Sequence, residues 1–246
     1  MTSPEERLAG VKVLLTGATG GVGRALAGGL GAGGADLLLH GRRAAELEAL
    51  ADSVGGRAHA GDLTNRSYLG RLVCYAMDLW GEAPDVLINN AGAFELASVT
   101  ETDPDTFDAL LSVNLRVPFE LARALLPAML GRGSGHLVTI GSVAGRAAFP
   151  GNAAYAASKF GLRGIHEVLV EELKGTGVKA TWVEPSAVDT PMWNSIDPDE
   201  RADLPSRRQM LRPEAVARAV AFAIAQPADV TIETISIRAN IGIDRT

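Results

Sequence analysis

The strongest constraint on this chain is an alternation that runs almost from end to end: short apolar runs separated by longer amphipathic stretches. Residues 11–15, 36–39, 57–60, 86–89, 136–140, 179–183 and 234–237 have the length and character of strands. Between them, windows near 22–33, 43–53, 65–80, 104–130, 152–174 and 213–225 carry helical spacing. Strands this apolar, separated by helices, imply a parallel sheet covered on both faces. Right-handed crossovers then predict an α/β fold, a doubly wound parallel seven-stranded sheet with helices on both faces, as a single domain over 1–246. Pro213 suits the first turn of the last helix, where its missing N–H costs nothing. Gly175 and Gly177 suit the end of the long helix before residue 179. Residues 190–212 hold three prolines and mixed charges without a period. That stretch reads either as a mobile segment covering a substrate or as an ordinary surface loop.

Charge and composition remove several function classes. With 23 Lys and Arg against 29 Asp and Glu, the net charge is −6, so no general basic field exists to hold nucleic acid. No apolar run reaches the roughly 18 residues of a membrane span, and the first ten residues lack the cationic-then-apolar order of a signal peptide. Cys74 is the single cysteine, which excludes an intrachain disulfide and a multi-cysteine metal site. No metal site is read, and the expected location is the cytoplasm.

The first strand runs into Thr16-Gly17-Ala18-Thr19-Gly20-Gly21-Val22-Gly23, and a helix follows. A strand-to-helix turn that approaches a pyrophosphate must shed side chains, and the helix start offers free N–H groups and a positive dipole end. The alternative is a plain tight turn. At the end of the second strand an NAD site usually carries a carboxylate for the ribose 2′-hydroxyl. Here the stretch is Leu39-His40-Gly41-Arg42-Arg43, and two guanidinium groups stand where a 2′-phosphate would lie. This favours NADP over NAD, against a reading of two solvated arginines opening a helix. Asp62 either bonds an adenine amine or caps the following helix.

Further along stand Asn114, Ser142 and the pair Tyr155 and Lys159. Four residues apart in a helical window, Tyr155 and Lys159 share a face. A nearby ammonium lowers a phenol pKa, which makes tyrosine a proton donor or acceptor nearer neutral pH. Ser142 follows a strand at the carboxyl edge, where open α/β sheets bind ligands.

The ordered set of Thr16-Gly17-x-x-x-Gly21-x-Gly23, Asp62-Leu63, Asn89-Asn90-Ala91-Gly92, Asn114, Ser142, Tyr155-x-x-x-Lys159 and Pro185 with Thr190 resembles the short-chain dehydrogenases/reductases of about 250 residues. The likeness spans nearly the whole chain. It implies a Rossmann-type domain in which Tyr155 is general acid in reduction and base in oxidation. Lys159 would bind the nicotinamide ribose and lower the pKa of Tyr155. Ser142 would position the substrate oxygen, and Asn114 would hold a water in a proton relay through Lys159. Asn90 and Gly92, with Ala91 between them, would lie near the adenosine ribose, and Val188 and Thr190 would contact the carboxamide. Pro185-Ser186 departs from the family's usual Pro-Gly and places a side chain near the expected nicotinamide face. Family members pair two long helices into homodimers or homotetramers. Apolar positions in the corresponding windows here, Leu110, Val113, Val117, Leu121, Leu162, Ile165 and Leu169, exceed one stripe.

Phe94, Ala144, Phe149, Asn152, Met192 and Trp193 are candidates to wall a substrate pocket, and their mostly apolar character suits a hydrophobic ketone or alcohol. Their bland reading is a sealed hinge or a subunit contact. The functional expectation is an NADP-dependent oxidoreductase acting on a small-molecule ketone or secondary alcohol. Its alternatives are a 3-oxoacyl reductase for carrier-protein thioesters, with Arg123, Arg132 and Arg163 as scattered docking candidates, and a silent NADP-sensing regulator.

Overall fold

A computed structural model describes residues 8–240. Its strands are β1 (Lys12–Leu15), β2 (Asp36–Gly41), β3 (Arg57–Ala60), β4 (Val86–Asn89), β5 (Gly135–Ile140), β6 (Val178–Pro185) and β7 (Thr234–Ile237). All pair in parallel, in the order β3-β2-β1-β4-β5-β6-β7. The helices are α1 (Gly21–Ala32), α2 (Ala44–Val54), α3 (Arg66–Trp80), α4 (Pro104–Leu111), α5 (Val117–Arg132), α6 (Ala153–Leu173) and α7 (Pro213–Ile224).

Alternation along the strands splits the core into two layers. Val13, Leu15, Leu37, Leu39, Ile88, Val138 and Val183 face one layer, packed with residues of α1, α2 and α7. Leu14, Leu38, Leu87 and Leu137 face the other, packed with α3 and α5. Both layers are needed because every central strand is apolar on both faces, as a doubly wound sheet requires. The chain winds outward from β1 to β3 and then crosses to β4, so the order reverses between β1 and β4. At such a reversal the loops beyond the carboxyl ends diverge and leave a crevice.

The helix ends follow local chemistry. Pro213 opens α7, and Gly175, at φ 75°, follows Lys174, the C-cap of α6. The window 104–130 is not one helix. After Leu111 a π-helical turn, Ser112–Arg116, intervenes before α5. One additional residue in a turn leaves no trace in hydrophobic spacing, and such turns gather at functional sites.

Residues 190–210 fold as a loop around three short 3₁₀ turns, Pro191–Trp193, Pro198–Glu200 and Arg207–Gln209. A bridge between Val188 and Leu211 closes its base. Arg207 fastens it from within, donating to Asp189 Oδ1 at 2.8 Å, Thr190 O at 3.3 Å and Asn194 Oδ1 at 2.8 Å. Of the apolar positions marked for subunit contact, Leu110, Val117, Leu121 and Leu162 are buried within the chain itself. Phe107, Phe119, Leu130, Phe160 and Val168 are instead the large apolar side chains these helices expose. Among the described residues no helix is long and apolar enough to cross a membrane.

Candidate active site

The glycine-rich turn leaves β1 at the reversal point and enters α1 without side chains on its inner faces. Gly17 has φ 67°, and a Cβ there would lie 2.7 Å from the Ala91 Cα. A Cβ on Gly21 would lie 2.6 Å from the Thr190 Cγ2, so the loop after β6 closes directly on this turn. Gly20 stands at the N-cap of α1, Val22 is half-buried, and Thr19 and Gly23 are buried. Thr16 Oγ1 donates to Ile88 O and accepts the N–H groups of Asn90 and Ala91, which ties the ends of β1 and β4 together.

Several expected contacts take a different form. Both Asn90 amide hydrogens go to the carbonyls of Thr16 and Gly17, at 2.9 and 3.0 Å, so its side chain braces the turn rather than offering donors to a ribose. Asp62 does not cap the next helix. Its Oδ1 accepts from Thr64 N and Oγ1, while Asn65 is the N-cap of α3, accepting from Tyr68 N at 3.1 Å. Leu63 is buried in the core layer beside α3. Val188 packs into the opposite layer, and its carbonyl accepts from Trp193 Nε1. Pro185 is buried at the end of β6. The Ser186 hydroxyl accepts from Ala239 N at 3.3 Å, a contact with the chain just beyond β7.

At the end of β2, His40 is buried between two loops. Its Nε2 lies 3.0 Å from Gly61 O, and Gly17 N lies 3.4 Å from its Nδ1. Burial pushes the ring down to about 4. Arg43 donates to Thr19 O at 2.9 Å and pairs with Glu46 at 2.6 Å. Arg42 is exposed and makes no ion pair among the described residues. Arg24, in the first turns of α1, also reaches Thr19 O and pairs with Glu46. Sequence reasoning passed over Arg24 and Glu46. A usable signal existed, since a cation near a helix N-terminus opposes the dipole and asks for an anion beside it.

The chemical end gathers on the first turns of α6. Lys159 Nζ donates to Ile140 O at 3.1 Å and lies 5.8 Å from the Tyr155 ring centre. Burial pushes this amine down to about 8 and pushes the Tyr155 phenol up to about 12, against a smaller downward pull from the Ser142 side chain. The expected lowering of Tyr155 by Lys159 therefore does not hold in this state. Desolvation of the charged form is the largest influence on each group, and Lys159 is not among the causes that move the phenol.

Asn114, fully buried in the π-turn, accepts from Ala93 N at 2.8 Å and donates to Ala93 O and to Ser158 Oγ. Ser158, another residue missed from sequence, donates in turn to Tyr155 O at 2.6 Å. The Asn114 side chain thus links the loop after β4 to the turn that carries Tyr155. Both amide hydrogens are spent on protein groups, which leaves neither to donate to the expected water. Ser142 Oγ accepts from Ala144 N at 3.1 Å.

Of the pocket candidates, Phe94 meets the Tyr155 ring edge-on at 4.8 Å and Trp193 at 5.0 Å. Trp193 belongs to the loop that Arg207 fastens, so that loop reaches the tyrosine through Phe94. Phe149 and Met192 are close to half exposed, whereas Ala144 and Asn152 are buried. Asn152 keeps its Oδ1 without a partner.

The family model described as short chain dehydrogenase matches residues 11–201. An uncharacterized oxidoreductase of Staphylococcus epidermidis is 32% identical over 227 residues, covering 92% of this chain and 95% of its own length. A solved metagenomic short-chain oxidoreductase in complex with NADP is 29% identical, with TM-score 0.81 over 95% of this chain and 99% of its own. A short-chain dehydrogenase from Streptomyces avermitilis, also 29% identical, superposes with TM-score 0.82 over 93% of this chain and 88% of its own. The glycine-lined turn, the tyrosine–lysine pair and the sheet order lie on a chain that belongs to the short-chain dehydrogenase/reductase family of oxidoreductases.

Proposed function

We propose that this chain reduces hydrophobic ketones to secondary alcohols with NADPH, Tyr155 acting as the general acid. The observation that carries the reading is the convergence of Ser142, Tyr155 and Lys159 at the carboxyl ends of the central strands. Ala91 and Thr190 pack directly against Gly17 and Gly21, so the turn keeps its backbone close and presents free N–H groups at the start of α1, which suits a dinucleotide pyrophosphate. When bound, the dihydronicotinamide supplies a hydride to the carbonyl carbon. Tyr155 Oη gives its proton to the carbonyl oxygen. A phenol held up near 12 is protonated at neutral pH, the form that reduction needs. Ser142 would hold the same oxygen, and Lys159 would hold the nicotinamide ribose and pass to the tyrosine a proton that it regains from solvent water. Asn114, through Ser158, fixes the turn from which Tyr155 projects.

Cofactor choice rests on the β2 end, which offers Arg42 and Arg43 and no carboxylate in the position for a ribose diol; the metagenomic relative of similar fold was solved with NADP. Arg42→Leu is expected to weaken NADPH binding about 10- to 100-fold, the worth of a charge-assisted phosphate contact, and NADH binding hardly at all. Fluorescence titration with both cofactors checks this, and equal losses would remove the assignment.

The substrate class follows from the aromatic wall of Phe94 and Trp193 beside the tyrosine, with Phe149 and Met192 as further candidates for the mouth. Trp193→Ala should lower kcat/KM for an aryl ketone by about tenfold or more, the usual worth of lost apolar contact in a pocket, while butanone changes little. Loss on both substrates alike would show that Trp193 only supports the fold. A carrier-protein thioester is less favoured. Arg132 is tied to Glu82 and Asp85, and Arg163 to Glu167 and Glu184, which leaves Arg123 of the three docking candidates. A silent sensor has no use for the retained tyrosine and lysine. The reading includes a cytoplasmic homodimer or homotetramer, supported by the exposed Phe119 and Phe160, and a covering role for residues 190–212.

A further inference from the structure

We propose that Glu46 is a resident stand-in for the 2′-phosphate of NADP, and that with Arg24 and Arg43 it sets how strongly the site prefers the phosphorylated cofactor. The inference rests on the NADP reading and adds two residues to it.

Three arginines, Arg24, Arg42 and Arg43, lie around the junction of the glycine-rich turn and the end of β2. Two of them converge on one atom: Arg24 Nε donates to Thr19 O at 3.2 Å and Arg43 donates to the same oxygen at 2.9 Å. Both also pair with the Glu46 carboxylate, Arg43 through Nε at 2.6 Å and Arg24 through a terminal nitrogen. The Gly41 backbone packs against the Thr19 side chain, where a Cβ would sit 3.1 Å from both Cγ2 and Oγ1. The carboxylate, the two guanidiniums and the loop carbonyl thus form one cluster, and Arg42 is next to Arg43 in the chain.

A carboxylate and a phosphate ask the same thing of arginine, oxygen acceptors matched to the planar fork of N–H donors. In the free protein Glu46 holds Arg24 and Arg43 together at the junction of the glycine-rich turn and the end of β2, where the proposal puts the 2′-phosphate. It also opposes that entry, since one negative charge within a few ångströms of a phosphate dianion is repulsive even in water. Arg43 has five N–H donors and spends few of them on Thr19 and Glu46, so it can take the phosphate while keeping its anchor on the loop. A plain helix-end carboxylate in the first turn of α2 would act differently: its removal would alter stability and leave cofactor discrimination untouched.

The test uses adenosine halves of the cofactors, so it reads binding without turnover. Titrations of 2′,5′-ADP and 5′-AMP by calorimetry at low salt compare the wild type with Glu46→Gln and Arg24→Leu, each checked for an intact melting transition. Glu46→Gln keeps the shape and a hydrogen-bond acceptor, with Glu46→Ala as a second form of the same charge removal. The expected result is that either Glu46 variant tightens 2′,5′-ADP about fivefold, while Arg24→Leu weakens it about tenfold, and 5′-AMP moves less than about twofold in each. If the wild type prefers 2′,5′-ADP but the Glu46 variants bind it equally or more weakly, the inference falls and the NADP reading stands. Equal shifts on both ligands in Arg24→Leu would assign Arg24 to the pyrophosphate turn and overturn its part. A wild type that binds the two ligands alike removes the NADP reading and this inference with it.

Discussion

Tyr155→Phe is expected to lower kcat for ketone reduction by about 10²- to 10⁴-fold, the usual contribution of a positioned general acid, with NADPH affinity nearly unchanged. The separation follows from where the hydroxyl sits. The ring keeps its edge contact with Phe94, and Lys159 keeps its bond to Ile140 O, so the phenylalanine ring should occupy the same space. Only the proton donor is lost. Stopped-flow single turnovers with a cofactor titration alongside measure both quantities. Turnover within tenfold of wild type would take the general-acid role away from Tyr155.

Acid is expected to destabilise this protein before its carboxylates protonate, and its buried histidines are the cause. Burial is the largest influence on each, and it pushes all of them below their ordinary 6.5, His40 to about 4 and His136 to about 3. Below 6.5 the unfolded chain takes up protons that the folded chain refuses, so stability falls as pH drops through the window from 6.5 toward 4. For His40 and His136 the linkage is about 2 kcal/mol each between pH 7 and pH 5, or about 4 kcal/mol together. Urea midpoints at the two pH values check it. His136→Gln should remove roughly half of the difference, because His136 lies in β5 with its Nε2 2.7 Å from Thr181 Oγ1 and its Nδ1 unpartnered. Equal midpoints at pH 7 and pH 5 would contradict the burial argument.

Much of the architecture was legible in the residue pattern, because strands that are apolar on both faces can exist only between two layers of helices. Tyr155 and Lys159 were legible as a pair because four residues is one helical turn. What escaped the pattern was whatever depended on a partner distant in sequence. Asn90 looked like a ligand-binding residue, yet its amide braces Gly17, 73 positions away. Asp62 reads as a cap for α3, whereas the structure turns it onto Thr64 and caps the helix with Asn65. Ser186 reads as a side chain near the nicotinamide face, and its contact with Ala239, 53 positions away, is invisible in the sequence. Glu46 carried no motif at all, and its interest comes from Arg24, 22 positions before it.

The π-turn at Ser112–Arg116 has one more consequence. Each residue added to a helix advances the following side chains by about 100° around the axis. The inserted residue therefore sets the phase of α5, directing Val117, Leu121 and Leu125 into the core while Asn114 reaches Ala93 and Ser158. Removing a single residue there would rotate one half against the other, so the amide and the hydrophobic seam cannot both stay in register. Sequence change in this stretch is thereby restricted to exchange of side chains, with insertion and deletion closed off.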